Sequence, residues 1–453
     1  MNKPRLSLRF ISYIFLIFFT LFQVGLAITS RPVQDDYGFL SAGANNGFGK
    51  YVGIFWKSMG GNLDPVLIRI PFYIPSISGN SWIGFQLYSF LTTILIFSTS
   101  LIITTWVTSR SIKQFKLIDC VIAAAVSFGF EGIFTPGILS AYVFGAASSV
   151  HLWPISFLIL GLWLCTLNSR FHILIFISAL VAGNANMAEG ATSVFIAIVL
   201  LYLGVRKNTV FKQLGFFSLA KVLAFGAGST LGFLIIVSAP GLKQRANGSQ
   251  GLPDGFSDLL IRARSSFVAF TGDVATHPVW VLLLLSAFIW GTRFAQELSL
   301  ARARALISLT FILYSFLIIG STFAYSAWHQ SVGLLFLLSP TGLVAGLLLK
   351  RKLKTIRFNR MAKAIVYFLI SFSMILSFRV GFLAIERSVQ WDSNFDKNIC
   401  ALGRNSEASL LGAEILYRPA QLGISDVNTW PWMRDGYAEW VLGKNFTYQP
   451  TCD

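Results

Sequence analysis

Long apolar runs separated by short polar punctuation dominate this chain, and their lengths are the first thing it specifies. Runs near the ~20 residues that cross a bilayer as a helix recur at 10–28, 82–106, 118–134, 152–167, 171–184, 189–205, 217–238, 279–292, 305–324, 330–349 and 364–383. They predict an all-α polytopic membrane protein with about eleven transmembrane helices. The fifth and eighth are short for full crossings, so re-entrant segments or extensions into the polar flanks are expected there. The first follows Lys3, Arg5 and Arg9 in the manner of a signal peptide, but its length and the loop behind it favour an uncleaved anchor. Residues 1–383 thus read as one transmembrane domain with long external loops at 29–81 and 239–278, and 384–453 as a small external C-terminal cap.

Composition agrees and narrows the class. The chain is 55% hydrophobic and only 12% charged, with 42 Phe among its 453 residues, whereas a soluble domain carries about 25% charged residues. A net charge of +17 would suggest nucleic-acid binding in a soluble protein, so the positions of the charges decide its meaning. Arg110, Lys113, Lys116, Arg170, Arg206, Lys207, Lys212, Arg293, Arg302, Arg304 and the cluster from Lys350 to Lys363 all fall on one side of the alternation. The opposite loops after the third, fifth and ninth spans have no Lys or Arg, and acidic residues collect on that side except Asp119 and Glu297. This is the positive-inside pattern and predicts an N-in, C-out chain. The charge is a topology signal, and no nucleic-acid partner is expected.

Cysteine usage points the same way. Four cysteines without CxxC spacing make neither a disulfide framework nor a zinc site. Cys120 and Cys165 lie in spans, whereas Cys400 and Cys452 share the external tail, where a disulfide between them would persist. Trp391, Trp430, Trp432 and Trp440 in that tail favour a lid packed on the helices over sugar stacking.

The candidate chemistry gathers on the outer side. Asp35 and Asp36, in Gln34-Asp35-Asp36-Tyr37, follow the first span closely. Adjacent carboxylates repel, which raises at least one pKa. Such a pair suits a general base or a divalent cation, Mg2+ or Mn2+, and a solvated loop is the plain alternative. Glu189, in the turn Gly183-Asn184-Ala185-Asn186-Met187-Ala188-Glu189-Gly190, is equally open to a site and a structural role; for Glu131, structure is favoured. Arg245, Arg262 and Arg264 in the fourth external loop and Arg69 before the second span are candidate phosphate ligands, with headgroup-facing arginine as the alternative. His151 and His329 open the fourth and tenth spans and can contact phosphate or shuttle a proton. Walker A, GxGxxG, HExxH and GxSxG motifs are missing, so nucleotide-driven transport and metallopeptidase chemistry lose support. Gly228/Gly232 and Gly342/Gly346 have the spacing of close helix packing.

A first span, an external Asp35-Asp36-Tyr37, a long amphipathic loop and about ten further spans resemble the GT-C superfamily of polyprenyl-phosphate-sugar-dependent glycosyltransferases. Within it, the chain resembles bacterial and prophage serotype-converting O-antigen glucosyltransferases and related multi-pass families. The segment Ala239-Pro240-Gly241 to Arg245 is similar to a recurring element of such families. The resemblance implies a GT-C-like fold in a bacterial cytoplasmic membrane, with an active site facing the periplasm or exterior. It implies a polyprenyl-phosphate-linked hexose donor, glucose foremost, supplied by an upstream synthase and flippase. The acceptor would be a surface polysaccharide or lipid-linked glycan. It puts the catalytic base in the carboxylate pair, Asp36 preferred over Asp35. Two rivals remain: an O-antigen polymerase or ligase, which would use the arginines of the fourth external loop, and a glycan transporter or flippase without chemistry.

Overall fold

The computed structural model describes residues 8–31, 83–108, most of 152–245, 255–276 and most of 385–402, with scattered positions at 52–57, 116–127 and 375–382. All regular structure among these residues is helical. In chain order the helices are α1 (Leu8–Ile28), α2 (Ile83–Thr108), α3 (Trp153–Thr166), α4 (His172–Gly183), α5 (Met187–Val205), α6 (Thr209–Gln213), α7 (Leu219–Ser238), α8 (Pro240–Arg245), α9 (Phe256–Thr276) and α10 (388–402).

Six of the expected spans coincide with helices α1 to α5 and α7 to within three residues at either end. Three helical stretches, Arg9–Ile28, Gln86–Ile103 and Leu219–Ser238, are long and apolar enough to cross a membrane. Helices α3 and α4 have 14 and 12 residues. At 1.5 Å per residue they span about 21 and 18 Å, short of a hydrocarbon core of about 30 Å. The short fifth span is therefore a short helix whose ends reach polar connections. The expected spans at 279–292, 305–324 and 330–349 lie outside the described residues. Those at 118–134 and 364–383 are described only at scattered helical positions.

Side-chain environment explains why these sequences hold together in an apolar medium. Along α1 the exposed Phe10, Ile14, Ile17, Leu21, Val24 and Ile28 recur every three or four residues. In water this continuous apolar stripe would be an aggregation surface, whereas lipid tails cover it at no cost. Hydroxyls inside the helices return to the backbone one turn earlier, as Thr92 does to Tyr88 O at 2.9 Å, Thr99 to Leu95 O at 2.7 Å and Ser156 to Leu152 O at 2.9 Å. Each of these hydroxyls thus finds its acceptor on its own helix, as hydrocarbon demands.

Paired positions give the relative directions of the helices. Gln86 donates to Ile28 O at 2.9 Å, Thr93 to Gln23 Oε1 at 3.3 Å, and Phe97 meets Phe19 at 5.5 Å between ring centroids, so α1 and α2 are antiparallel. Trp153 at the start of α3 stacks on Tyr88 at 5.6 Å and donates to Thr92 Oγ1 at 2.9 Å. At the other end of α2, Trp106 approaches Leu214 O and Phe216, just before α7. Lys221, on the first turn of α7, donates through Nζ to Leu167 O just past the end of α3. Helices α2 and α3 therefore run together, and α7 runs against them. The bundle has two ends. One carries Arg31 and the starts of α2, α3 and α5; the other carries Lys221, Leu167 and α6.

The tightest packing joins α4 to α7. A Cβ on Gly228 would collide with Phe176 O, one on Gly232 with Leu180 O, and one on Gly183 with Ser229 O. The Gly228/Gly232 spacing therefore marks backbone-to-backbone contact, as expected from the sequence, while Gly342 and Gly346 lie outside the described residues. Asn184, at the end of α4, donates to Gly232 O at 3.2 Å. Helices α4 and α7 are thus in register and parallel.

The C-terminal region extends the bundle. Helical positions occur on both sides of residue 383, where the sequence suggested a boundary between membrane domain and cap. Phe378 meets Phe18 at 5.0 Å, and thirteen residues further along the chain, just past the end of α1, Arg31 meets Asp392. This segment therefore runs parallel to α1. Within α10, Trp391 and Phe395 are buried and stack at 4.8 Å; Trp430, Trp432 and Trp440 lie outside the described residues.

Overpacking the α4–α7 contact should be felt at once. Gly232→Val is expected to cost about 1–3 kcal/mol and to lower the thermal midpoint of the purified protein. Gly25→Val, where a Cβ meets nothing within 4 Å, should leave the midpoint unchanged.

Candidate functional site

The turn between α4 and α5 is a polar element at the Arg31 end. Asn186 precedes α5, and its Oδ1 accepts from the backbone N of Glu189 at 3.0 Å. That is an N-cap bond, closing one of the donors every helix leaves open at its start. Glu189 lies in the first turn of α5, where a carboxylate is favoured by the helix dipole. The spacing Asn186-x-x-Glu189 is that of a capping box. Glu189 is buried, at 4% exposure, so this short turn brings a carboxylate below the surface of the bundle. A structural reason for its presence now stands beside the functional one.

Helix α8 starts directly after α7. Ala239 leaves the helix with extended backbone (ψ 130°), and Pro240 opens α8, a position that needs no N–H. Arg245 ends this six-residue helix. Its backbone is therefore tethered to the Arg31 end of the bundle, the end that also carries Glu189; its side chain lies outside the described residues. In the following segment, read from the sequence simply as a loop, α9 is a 21-residue helix. Its Arg262 pairs with Asp258 one turn earlier at 2.6 Å, which engages a guanidinium that the sequence offered for phosphate. Arg264 is exposed on the same helix.

Asp35, Asp36, Arg69, His151 and His329 lie outside the described residues. Leu152, which follows His151, is buried next to the start of α3 at the Arg31 end. Asp35 and Asp36 follow Arg31 by four and five residues. Among the described residues, no group of three or more His, Cys, Asp or Glu is placed to hold a metal ion.

Three ionic contacts escaped the sequence reading. Arg31 donates from Nε to Asp392 Oδ1 at 2.8 Å and from Nη2 to Asp392 Oδ2 at 2.9 Å, across 361 residues. Its Nη1 donates to Ile28 O at 3.0 Å and Ser30 O at 3.1 Å. At the opposite end, Lys221 is buried and its ammonium caps the end of α3 through Leu167 O. Asp119, an exception to the outward bias of acidic residues, is buried and accepts from the backbone N of Lys116 at 2.9 Å. A charge just beyond an apolar run was the available signal for Arg31, and a charge just inside one for Lys221. Nothing local named their partners.

Cys400 is disulfide-bonded, whereas Cys120 and Cys165 are free thiols. Cys452, the remaining cysteine of the four, lies outside the described residues.

Comparison of the chain with protein-family models, curated proteins and solved structures found no match. Function must therefore be argued from the chain's own residues.

Two outcomes follow from this geometry. Asn186→Ala should cost about 1 kcal/mol through loss of the cap, read as a lower thermal midpoint. Alkylation of the denatured, unreduced protein should label two cysteines by mass spectrometry, and all four after reduction.

Proposed function

We propose that this protein is a membrane glycosyltransferase that moves a hexose, glucose foremost, from a polyprenyl-phosphate carrier to a surface polysaccharide or lipid-linked glycan. The observation that carries the reading is that the backbones of Glu189 and Arg245 belong to the same end of an apolar helical bundle as Arg31, which precedes Asp35 and Asp36 by four and five residues in the sequence.

The distribution of basic residues supports an outward orientation of that end. Arg170, Arg206, Lys207 and Lys212 occupy the connections at the Lys221 end, whereas residues 184–186, at the Arg31 end, include no Lys or Arg. By the positive-inside rule the Lys221 end is cytoplasmic, and the full reading is about eleven spans, N-in and C-out, in a bacterial cytoplasmic membrane. Cytosolic nucleotide sugars do not reach an outward-facing site. A sugar carried across on a lipid phosphate does.

The reaction needs few groups. A carboxylate, Asp36 in preference to Asp35, takes the proton of the acceptor hydroxyl as its oxygen attacks the anomeric carbon. The bond from that carbon to the phosphate oxygen breaks, and the lipid phosphate leaves with the electron pair. Cations stabilise the developing charge, with Arg245 as first candidate and Arg264 as second. A single displacement inverts the anomeric centre. Arg262 is a weaker candidate because Asp258 already engages it.

Asp36→Asn is expected to abolish glycan modification in cells expressing it at the wild-type level, and Asp35→Asn to reduce it at least tenfold. Mass spectrometry of the surface glycan reads both. Unaltered modification in the two variants overturns the proposal.

A further inference from the structure

At the Lys221 end of the bundle, two helices close with the same backbone motif but differ at its key residue. At the end of α6, Gly215 N donates to Lys212 O at 3.0 Å and Phe216 N to Phe211 O at 3.1 Å, with Gly215 at φ 93°. At the end of α5, Lys207 N donates to Gly204 O at 3.0 Å and Asn208 N to Leu203 O at 2.9 Å, with Lys207 at φ 49°. Both are Schellman closures, whose left-handed residue is ordinarily glycine because a Cβ is strained there. Among the described residues, Lys207 is the only non-glycine with a positive φ. A lysine kept where glycine would serve the fold better points to a use for its ammonium.

The turn that carries Lys207 is held on both sides. Asn208 Oδ1 accepts from Val210 N at 2.9 Å and so caps α6. Phe211 is buried and packs on Phe216 at 5.6 Å between ring centroids. A Cβ on Gly204 would crowd Phe211 and Leu219, so α5 closes directly against α6 and the start of α7. Arg206 places its guanidinium 5.7 Å from the centre of the Tyr202 ring, within reach of a cation–π attraction. Arg206, Lys207 and Lys212 are all exposed.

Farther along α5 an apolar stripe faces outward. Ile198, Tyr202 and Val205, at i, i+4 and i+7, are 57%, 61% and 67% exposed. The helices packed on α5, namely α3, α4, α6 and α7, contain no acidic residue. None of the three cations forms an ion pair among the described residues. Their counter-charge is not supplied by the neighbouring helices. An amphiphile with an anionic head and apolar tails complements both parts at once, because its phosphate accepts from guanidinium and ammonium while a tail covers the stripe. We propose that Arg206 and Lys207 form a headgroup site for an anionic phospholipid, with an acyl chain along Ile198, Tyr202 and Val205. Lys212 adds to the positive field. The site is more than the charge bias that orients the chain, to which Arg170 contributes from a different connection.

The test places the full-length protein in nanodiscs of phosphatidylcholine, with and without added phosphatidylglycerol. A ligand that binds the folded state raises its thermal midpoint, so phosphatidylglycerol should raise that of the wild type. Lys207→Gly keeps the closure and relieves its strain, so its midpoint in phosphatidylcholine should be no lower than that of the wild type. Its gain from phosphatidylglycerol should shrink, and native mass spectrometry should show about tenfold weaker retention of that lipid. Arg206→Gln should lose retention to a similar degree. Arg170→Gln removes a charge from the same end but not from this turn, and should keep retention within about twofold. Free glycerol 3-phosphate should leave the midpoint unchanged. Full retention in both Lys207→Gly and Arg206→Gln overturns the site, and an equal loss in Arg170→Gln overturns it in favour of diffuse surface charge. A rise with glycerol 3-phosphate overturns the lipid assignment.

Discussion

Backbone contact between α4 and α7 is the constraint on which the helices from α3 to α8 depend. Lipid tails are as apolar as leucine, so no hydrophobic force drives two helices together in a membrane. Close approach must supply the attraction, and only residues without a Cβ allow it here. Gly183, Gly228 and Gly232 remove the obstacle, and the carbonyls of Phe176, Leu180 and Ser229 fill the space. The reach of Asn184 to Gly232 O then locks the end of α4 against α7. The polar turn, the cap of α5 and the exit into α8 all follow from where that lock is made.

Charges are sorted by the same logic. Burying a charged group within hydrocarbon costs roughly 2.5–3.5 kcal/mol at the centre and less towards the interface, and several polar and ionic side chains of the bundle accordingly sit at helix ends and bond there. Lys221 caps α3, Asp119 accepts from a nearby backbone amide, Asn186 and Glu189 open α5, and Arg31 closes α1 while holding Asp392. A helix end is where the backbone leaves donors or acceptors open. It is therefore the cheapest place in a membrane bundle for a polar side chain, whether its purpose is structural or chemical.

This explains what was legible in the sequence. Six helices could be read to within three residues because hydrocarbon tolerates so few polar groups that a span is delimited by its own punctuation. The Gly228/Gly232 contact was legible because small residues four apart have one dominant use in an apolar helix. The segment holding α9 was read only as a loop, since its charged residues, Asp258, Arg262, Arg264 and Asp273, break any apolar run. Arg31 and Asp392 are separated by 361 residues, and no local pattern pairs them. For the candidate site, the sequence named Glu189 and its turn, but the capping role appears only once Asn186 is seen to bond its backbone.

The parallel course of α1 and the C-terminal segment constrains the topology beyond any individual helix. Two crossings with the same direction require an odd number of crossings between them. Eleven apolar runs satisfy that condition, with nine between the first and the last, so the total must be odd. Helices α4 and α5 can be short or even re-entrant as a pair without disturbing the parity, because they enter and leave from the same connection. A run such as 279–292 has no such partner. If it failed to cross alone, the C-terminal segment would run against α1, and Phe378 and Asp392 could not both meet Phe18 and Arg31 in ascending order. Any revision of the span count must therefore be made two at a time.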